Sequence, residues 1–350
     1  MASIQNYEYD ASTLQLTSRL LKQNPEFYTI WNHRRRILSD IISQLPSSNP
    51  QHTTGSLENP DSVISRLISN DLYFTLPLLR KFPKCYWIWN YRSWLLQQCN
   101  ALLPSYIARQ FWEDELTLVA KMHALDSRNF HGWGYRRGVV AALDSPALQI
   151  GSTENQVVDN GESDGTKEGG EKPGSLTEEE FEYTTTMLDF NLSNFSAWHR
   201  RSKVIPRLLD ERNAGKDERL KLLDEDLEWI QGALWASGDD SSLWFYHQFL
   251  LSIFDPDSAE SSIVKDITAE ERNTYVADEL QKVNDMLKGA EDCKWIYLAL
   301  IRMGMLHRKL TGKWKTERQK LVEYIKILHQ VDPLRAGRWQ DLKKELEAWE

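Results

Sequence analysis

The stretch FPKCYWIWNYRSWLL, residues 82–96, recurs in altered form along the chain. Four copies, this one included, share an aromatic residue, a tryptophan three positions later and an arginine three positions after that. Two weaker copies keep part of this pattern. The six copies lie at residues 24–38, 82–96, 126–140, 191–205, 239–251 and 293–301. Self-similarity at an interval of a few tens of residues is the signature of a repeat protein.

The spacing within the copies predicts helices. Trp89, Arg92 and Leu96 recur at three- and four-residue steps, which places them on one helical face. No segment alternates with a period of two, so we expect an all-α protein. Each repeat is predicted to be a helix, a tight turn and a second helix, with Pro25 and Pro83 at the start of that second helix. Because a two-helix hairpin buries its apolar face against its neighbours, the chain is expected to form one crescent-shaped, tetratricopeptide-like solenoid domain over residues 1–350.

Two insertions lengthen the interval between copies. Residues 46–60 are rich in Ser, Asn, Thr and Pro, and they predict a loop. Residues 151–174 are rich in Gly and hold six carboxylates against two lysines, with almost no large apolar side chains. Such a segment buries too little apolar surface to offset the entropy lost on ordering, so we expect it to be disordered.

Composition excludes several classes of function. The formal net charge of −9 disfavours nucleic acid or an anionic membrane as the main partner. Three cysteines without a C-x-x-C pair fit a reducing compartment and predict no metal site. The first residues show neither the basic region nor the apolar core of a signal peptide, and the longest apolar run is too short to cross a bilayer. We therefore expect a cytoplasmic protein with no membrane insertion.

The motif tryptophans and arginines have structural and functional interpretations. Aromatic residues at helical spacing usually belong to a core, and this group comprises Trp31, Trp89, Trp133, Trp198 and Trp244. The arginines would either pair with a carboxylate or stack on the aromatic residue three positions before the tryptophan, or they would form a surface row that suits an acidic or anionic partner. These residues are Arg34, Arg92, Arg136 and Arg201.

The residue sequences of the motifs are specific enough to indicate a family. The sequences PKCYWIWNYR, RNFHGWGYRR, NFSAWHRR and LWFYHQFLL resemble the repeats of protein prenyltransferase α-subunits, as does the terminal VDPLRAGRWQDL. The resemblance covers roughly residues 12–254 and 290–345. It implies a helical subunit that wraps a β-subunit, with zinc and most of the lipid pocket in that partner. In agreement, this sequence has no H-E-x-x-H and no Cys/His cluster, so we expect no metal or cofactor in this chain.

Within the family, the order of the copies is most similar to the branch that modifies Rab GTPases. The resemblance implies transfer of geranylgeranyl from geranylgeranyl diphosphate to C-terminal cysteines of a Rab, presented by a Rab escort protein. Two alternatives stay open at this point. One is the α-subunit shared by farnesyltransferase and type I geranylgeranyltransferase, and the other is a non-catalytic helical-repeat scaffold.

The resemblance also points to site residues. Lys84 stands where the family's Pro-Lys-x-Tyr motif carries a lysine that contacts diphosphate, so Lys84 is the catalytic candidate. Tyr86 belongs to the same motif, and Asn129 and His131 match an Asn-Tyr-His group at the mouth of the β-subunit pocket. The family's tyrosine is Phe130 here, which puts a hydroxyl contact at that position in doubt.

Overall fold

A computed structural model describes residues 9–45, 59–149, 175–258, 263–314 and 316–348. Every regular element within these ranges is helical, which confirms the all-α class. The contacts divide the chain into two compact units, Met1–Leu176 and Thr177–Glu350. A single domain over the whole chain stays a prediction. The predicted disordered insertion, 151–174, lies outside the described residues, as do residues 46–58 of the predicted loop.

The described residues of unit 1 form three helical hairpins and a short last helix. Its helices are α1 (Ala11–Gln23), α2 (Tyr28–Ser43), α3 (Pro60–Lys81), α4 (Tyr86–Leu102), α5 (Ser105–Leu125), α6 (Phe130–Leu143) and α7 (Pro146–Gln149). The pairs α1/α2, α3/α4 and α5/α6 form the hairpins. Their second helices pack in sequence, α2 on α4 and α4 on α6, so the hairpins stack as predicted.

Unit 2 repeats this arrangement with four hairpins. Its helices are α8 (Thr177–Phe190), α9 (Phe195–Glu211), α10 (Lys216–Ala236), α11 (Ser241–Ser252), α12 (Ala269–Asp285), α13 (Lys294–Thr311), α14 (Arg318–Val331) and α15 (Ala336–Glu347), with a 3₁₀ turn at Pro333–Arg335. The hairpins are α8/α9, α10/α11, α12/α13 and α14/α15. The second helices again pack in sequence, α9 on α11 and α11 on α13.

Helical spacing accounts for the core. On α4, Ile88, Tyr91, Leu95 and Cys99 follow one another at steps of three and four residues, and each is fully buried. Burial of one such aliphatic side chain contributes about 1.5–3 kcal/mol. The apolar face of a second helix therefore packs against both its hairpin partner and the next hairpin. Every hairpin needs such a face, which explains why the motif recurs.

A hydrogen bond inside five of the seven described hairpin turns explains the tryptophan that the first five copies of the motif share. Its indole N–H donates to the backbone carbonyl six residues earlier, at 2.6–2.9 Å: Trp31 to Pro25, Trp89 to Pro83, Trp133 to Ser127, Trp198 to Leu192 and Trp244 to Gly238. The same five tryptophans are 0–4% exposed, as expected of core residues. The prolines lie in the turn, three residues before the helices that begin at Tyr28 and Tyr86, which corrects the predicted helix starts. Their role is to present a carbonyl to the tryptophan.

The motif arginines are buried too, at 2–5% exposed, so they do not form a surface row. Three of them pair with a carboxylate on the first helix of the next hairpin. We call these contacts the arginine joints: Arg34 with Asp71, Arg92 with Glu115, and Arg201 with Asp226. In each joint a tyrosine from the second helix of that next hairpin donates its hydroxyl to the same carboxylate: Tyr91, Tyr135 and Tyr246, respectively.

The first joint shows how a buried charge is accommodated. Nε and Nη2 of Arg34 donate to Asp71 at 2.8 and 2.6 Å, and Nη1 donates to the carbonyl of Leu14 and the hydroxyl of Thr17 on α1. Burial alone would lower the pKa of Arg34, but the hydrogen bonds and charge of Asp71 outweigh it, so the pKa lies above the ordinary value. A buried ion pair is tolerated only when its hydrogen bonds are made. The arginine thereby connects α1, α2 and α3.

The fifth repeat has a histidine at the arginine position. Nε2 of His247 lies 3.1 Å from Oε2 of Glu279 on α12, and Gln231 and Lys282 also donate to this carboxylate. Burial alone would raise the pKa of Glu279, but the hydrogen bonds and charges of His247 and Lys282 outweigh it, and the pKa lies below the ordinary value. We call this contact the histidine joint.

Candidate functional site

Lys84 lies in the turn between α3 and α4, at the surface. Its side chain is 72% exposed, and its Nζ is 3.7 Å from Oδ2 of Asp126, which is 39% exposed. That distance allows an electrostatic attraction but is too long for a hydrogen bond. Since an exposed pair of this kind is weak, the ammonium is available to another anion.

Two ring side chains stand next to this turn. Tyr86 begins α4 and is 58% exposed, and its ring centroid is 6.2 Å from that of His131 at the start of α6. On its other side, His131 contacts Phe130, with ring centroids 4.0 Å apart. Burial lowers the pKa of His131, and Lys84 lowers it further against the opposing effect of Glu26. At neutral pH the imidazole is therefore uncharged and can donate or accept one hydrogen bond.

Asn129 has a different role from the predicted contact with substrate or the β-subunit. Its side chain is 4% exposed, its Nδ2 donates to the carbonyl of Pro83 at 2.9 Å, and its Oδ1 accepts from the backbone N–H of His131 at 3.1 Å. It is thus the N-cap of α6 and holds the turn of the second repeat. The family motif suggested a contact at the mouth because it places Asn129 beside His131, but the amide is used between the repeats. Through its hydrogen bond to the carbonyl of Pro83, Asn129 helps to hold the turn that contains Lys84.

Cysteines occupy the position of Asn129 in two other repeats. Sγ of Cys85 donates to the carbonyl of Pro25 at 3.5 Å, and Sγ of Cys293 donates to that of Gly238 at 3.3 Å. Burial raises the pKa of both thiols, that of Cys85 to about 11, so neither is a reactive thiolate at neutral pH. These cysteines serve the packing of one turn on the next.

Sequence reasoning missed other residues around this turn. Trp87 connects Tyr86 to Tyr28 of the first repeat, with centroid distances of 5.6 and 5.4 Å, so the aromatic side chains form a continuous row. Arg128 is exposed at the position equivalent to Lys84 in the third repeat. The signal for all of them was present in the alignment of the copies, because equivalent positions in stacked repeats become neighbours.

The described residues contain no cluster of three or more His, Cys, Asp or Glu side chains that could hold a metal ion. Within the same residues, no helix is both long and apolar enough to cross a membrane. The groups at the Lys84 turn that can contact an anion are an ammonium, a phenol and a neutral imidazole, with the carboxylate of Asp126 beside the ammonium. Such a set can bind and stabilise an anion, whereas it offers no nucleophile.

Comparison with known proteins agrees with the repeat pattern. A family described as "Protein prenyltransferase alpha subunit repeat" matches residues 11–41, 68–99, 112–143 and 177–208. The geranylgeranyl transferase type-2 subunit alpha of Candida albicans is 31% identical over 96% of this chain and 86% of its own length. The protein of the same name from Schizosaccharomyces pombe is 30% identical over 97% of this chain and 86% of its own length. This chain belongs to the geranylgeranyl transferase type-2 α-subunit family.

The type-2 α-subunits extend beyond fungi. The human protein of that name is 32% identical over 72% of this chain and 36% of its own length. These names favour the type-2 subunit over the shared α-subunit that the sequence left as an alternative. Among solved structures, Candida albicans protein geranylgeranyltransferase-I complexed with GGPP contains a chain with a TM-score of 0.55. That match covers 99% of this chain and 87% of the other at 17% identity, and it supports the fold alone.

Proposed function

We propose that this type-2 α-subunit acts in a heterodimer that transfers geranylgeranyl from geranylgeranyl diphosphate to C-terminal cysteines of Rab GTPases. A β-subunit would supply the zinc and most of the lipid pocket, and an escort protein would present the Rab. The observation that carries the proposal for this chain is the loosely held, exposed ammonium of Lys84, in the turn that precedes Tyr86. Family membership supplies the reaction in which such a cation is useful.

The reaction places a clear demand on that cation. The cysteine sulfur forms a bond to C1 of the geranylgeranyl group while the bond from C1 to the diphosphate oxygen breaks. The electron pair of the broken bond leaves with the diphosphate, so negative charge grows on that group in the transition state. A cation held at that position stabilises the transition state more than the bound substrate, which raises the rate of the chemical step.

The neighbours of Lys84 suit the same task. Tyr86 has an exposed phenol and His131 a neutral imidazole, and both can donate a hydrogen bond to phosphate oxygens. Neither adds a negative charge. Asp126 is the carboxylate nearest to the ammonium, and a diphosphate with several negative charges would compete with it strongly at this exposed site.

Exposed aromatic residues at the starts of the second helices support docking of a β-subunit. Tyr28, Tyr86 and Phe130, the first residues of α2, α4 and α6, are 53–67% exposed. Large apolar side chains that recur at the same position of successive repeats indicate an interaction surface. We propose that this row of exposed aromatic residues in unit 1 contacts the β-subunit.

The test is single-turnover transfer of geranylgeranyl to an escorted Rab by the assembled heterodimer. Lys84→Ala should slow the chemical step by about 10–1000-fold, the range for the loss of one preorganised charge contact. Lys121→Ala is the matched control, because it removes another exposed lysine of unit 1 from α5. Glu26, the first-repeat equivalent of Lys84, is a poor control because it acts on the pKa of His131.

The outcomes distinguish a subunit that contributes to catalysis from a non-catalytic scaffold. A loss of rate in Lys84→Ala with intact heterodimer assembly and unchanged Lys121→Ala supports a catalytic contact in this chain. Transfer at the wild-type rate by Lys84→Ala would reduce the role of this chain to holding the β-subunit and the escorted substrate. Co-expression with candidate β-subunits tests the partner itself, since a type-2 heterodimer should require the escort protein for transfer.

A further inference from the structure

Unit 2 contains two adjoining cavities on the face formed by its second helices. One, of 360 Å³, lies between α11, α13 and α15, and the other, of 450 Å³, lies along α9 and α11. Arg302, Arg338 and Phe245 line both, so the cavities are parts of one groove. We call it the unit 2 groove. Tyr246 of the third arginine joint and His247 of the histidine joint line it, whereas no residue of the Lys84 turn does.

The α9 side of this groove is cationic. Lys203, Arg302 and Arg338 line it, and no carboxylate does so among the described residues. In contrast to the arginines of the joints, these three side chains form no ion pair or hydrogen bond with any residue that the structure describes. Desolvation lowers the pKa of Arg302, and repulsion from Arg338 lowers it further, more than the attraction of Glu345 raises it. Two neighbouring guanidinium groups thus form no ion pair with a described residue, although the chain has a net charge of −9. The carboxylates that line the groove are both in the other cavity: Asp255 pairs with Lys309, and Glu345 attracts Arg302 without an ion pair.

The same groove offers aromatic surface. Trp198 and Tyr246 are buried at its base, while Phe195 and Phe245 are nearly half exposed, with ring centroids 5.9 Å apart. Trp295 continues the surface into the other cavity, 5.7 Å from Phe245. Arginine next to aromatic side chains is the composition that most often dominates the energy of a protein interface. A ligand for this groove therefore combines negative charge with an apolar group.

We infer that the unit 2 groove binds an acidic peptide segment of a partner protein, with carboxylates on Arg302 and Arg338 and an aromatic or aliphatic side chain packed against the exposed surface of Phe195 and Phe245. The planar guanidinium group suits a carboxylate because it can donate two parallel hydrogen bonds. A free phosphate would leave the aromatic surface uncovered. A nucleic acid would meet the overall negative charge of the chain.

The test uses the full chain and a fluorescein-labelled twelve-residue synthetic peptide that alternates Glu with Phe. Binding is measured by fluorescence anisotropy at low salt, where exposed charges are least screened. We expect the peptide to bind at least about tenfold more tightly than a version with Gln in place of Glu. The double variant R302E/R338E should weaken binding by about 10–100-fold.

A matched control distinguishes the effect of the groove residues on binding from the effect of the net charge. K288E/K326E makes the same change in charge with two exposed lysines of unit 2 that line neither cavity, and it should bind within about threefold of wild type. Melting curves check that the variants fold, and R302Q/R338Q replaces R302E/R338E if charge reversal unfolds the chain. Equal binding by wild type and R302Q/R338Q would overturn the inference.

Two further outcomes also decide it. If the peptide with Ser in place of Phe binds as tightly as the original, or if millimolar inorganic phosphate displaces the original completely, the groove is a simple anion site and the peptide inference fails. Loss of affinity on removing Phe, with resistance to phosphate, supports it. Prenyl transfer plays no part in these measurements, so the proposed transferase function is tested independently.

Discussion

Two ion pairs connect the second repeat to the third, and they differ in burial. The side chains of Arg92 and Glu115 are 3% and 4% exposed, and the hydroxyl of Tyr135 adds a 2.6 Å hydrogen bond to the carboxylate. Lys84 and Asp126 are 72% and 39% exposed, and they approach no closer than 3.7 Å. The buried pair fixes the position of one hairpin on the next, whereas the exposed pair holds its cation loosely.

The comparison shows how similar chemical groups serve folding in one place and function in another. A buried carboxylate whose hydrogen bonds are all made cannot exchange its partner without leaving an uncompensated charge. An exposed carboxylate exchanges its partner with water, salt or a ligand at little cost. Burial, and not the identity of the residues, thus decides which cations of this chain are available to a substrate.

The largest expected effect comes from breaking the buried pair. Glu115→Ala leaves the charge of Arg92 without a partner in the core, so the free energy of unfolding should fall by about 3–5 kcal/mol. Urea unfolding of the full chain measures this. The control is Glu113→Ala, which removes a 43% exposed carboxylate that pairs with Arg109 on the same helix and should change stability by about 0–1 kcal/mol. Similar losses in both variants would contradict the role assigned to the joint.

The histidine joint should be easier to break than an arginine joint. Glu279→Ala removes the carboxylate opposite His247, but it leaves no permanent guanidinium charge without a partner, as Glu115→Ala does. We expect a loss of about 1–3 kcal/mol, the cost of leaving buried polar groups without a partner. The measurement is again urea unfolding. A loss as large as that of Glu115→Ala would contradict this difference between the two kinds of joint.

Much of this fold could be predicted from the motif, since the tryptophan and arginine at a three-residue spacing indicate a repeated helix that packs on its neighbours. The carboxylates of the joints could not be found from the arginines, because they follow them by 37, 23 and 25 residues. The distance from carboxylate to tyrosine is a constant 20 residues, between Asp71 and Tyr91, Glu115 and Tyr135, and Asp226 and Tyr246. The carboxylate and the tyrosine lie in the same hairpin, so insertions between hairpins do not change the number of residues between them.

The candidate site was less predictable. Lys84 and Tyr86 are exposed at the predicted turn, but Asn129 is buried between the repeats. A motif match records which residue types occur together, and it does not distinguish a side chain that contacts ligand from one that supports the contact. The partner of Lys84, Asp126, lies 42 residues further along the chain, and its proximity follows from the stacking of hairpins.

A change in pH should distinguish titratable groups from the permanent cations of the joints. His123 is 1% exposed and stacks on Trp133 at 4.6 Å, and burial, with a further contribution from Arg136, lowers its pKa to about 4. The unfolded chain binds this proton near pH 6.5, so the folded state loses stability as pH falls below 6.5, until about pH 4. The loss between pH 7 and pH 5 should be roughly 1–2 kcal/mol.

Urea unfolding at the two pH values tests this prediction. His123→Gln removes the titrating group. It should therefore reduce the change in the free energy of unfolding between the two pH values, whatever the substitution itself costs in stability. His329→Gln is the control, because it removes a partly exposed histidine of α14 and should leave the dependence as it is in the wild type. If His123→Gln keeps the full loss between pH 7 and pH 5, other groups cause it.

The smallest effect is expected at the exposed pair. Asp126→Asn removes the charge opposite Lys84 but keeps an oxygen that can accept from the backbone N–H of Arg128, as Oδ1 does at 3.2 Å. The free energy of unfolding should therefore change by less than about 1 kcal/mol. Single-turnover transfer should stay within about threefold of wild type, because a diphosphate and not Asp126 is the proposed partner of the ammonium during the reaction. A loss of several kcal/mol would show that the pair belongs to the joint between the repeats. A loss of rate as large as that of Lys84→Ala, with stability unchanged, would instead mean that Asp126 positions Lys84 for the diphosphate, and that even this loosely held cation depends on its carboxylate.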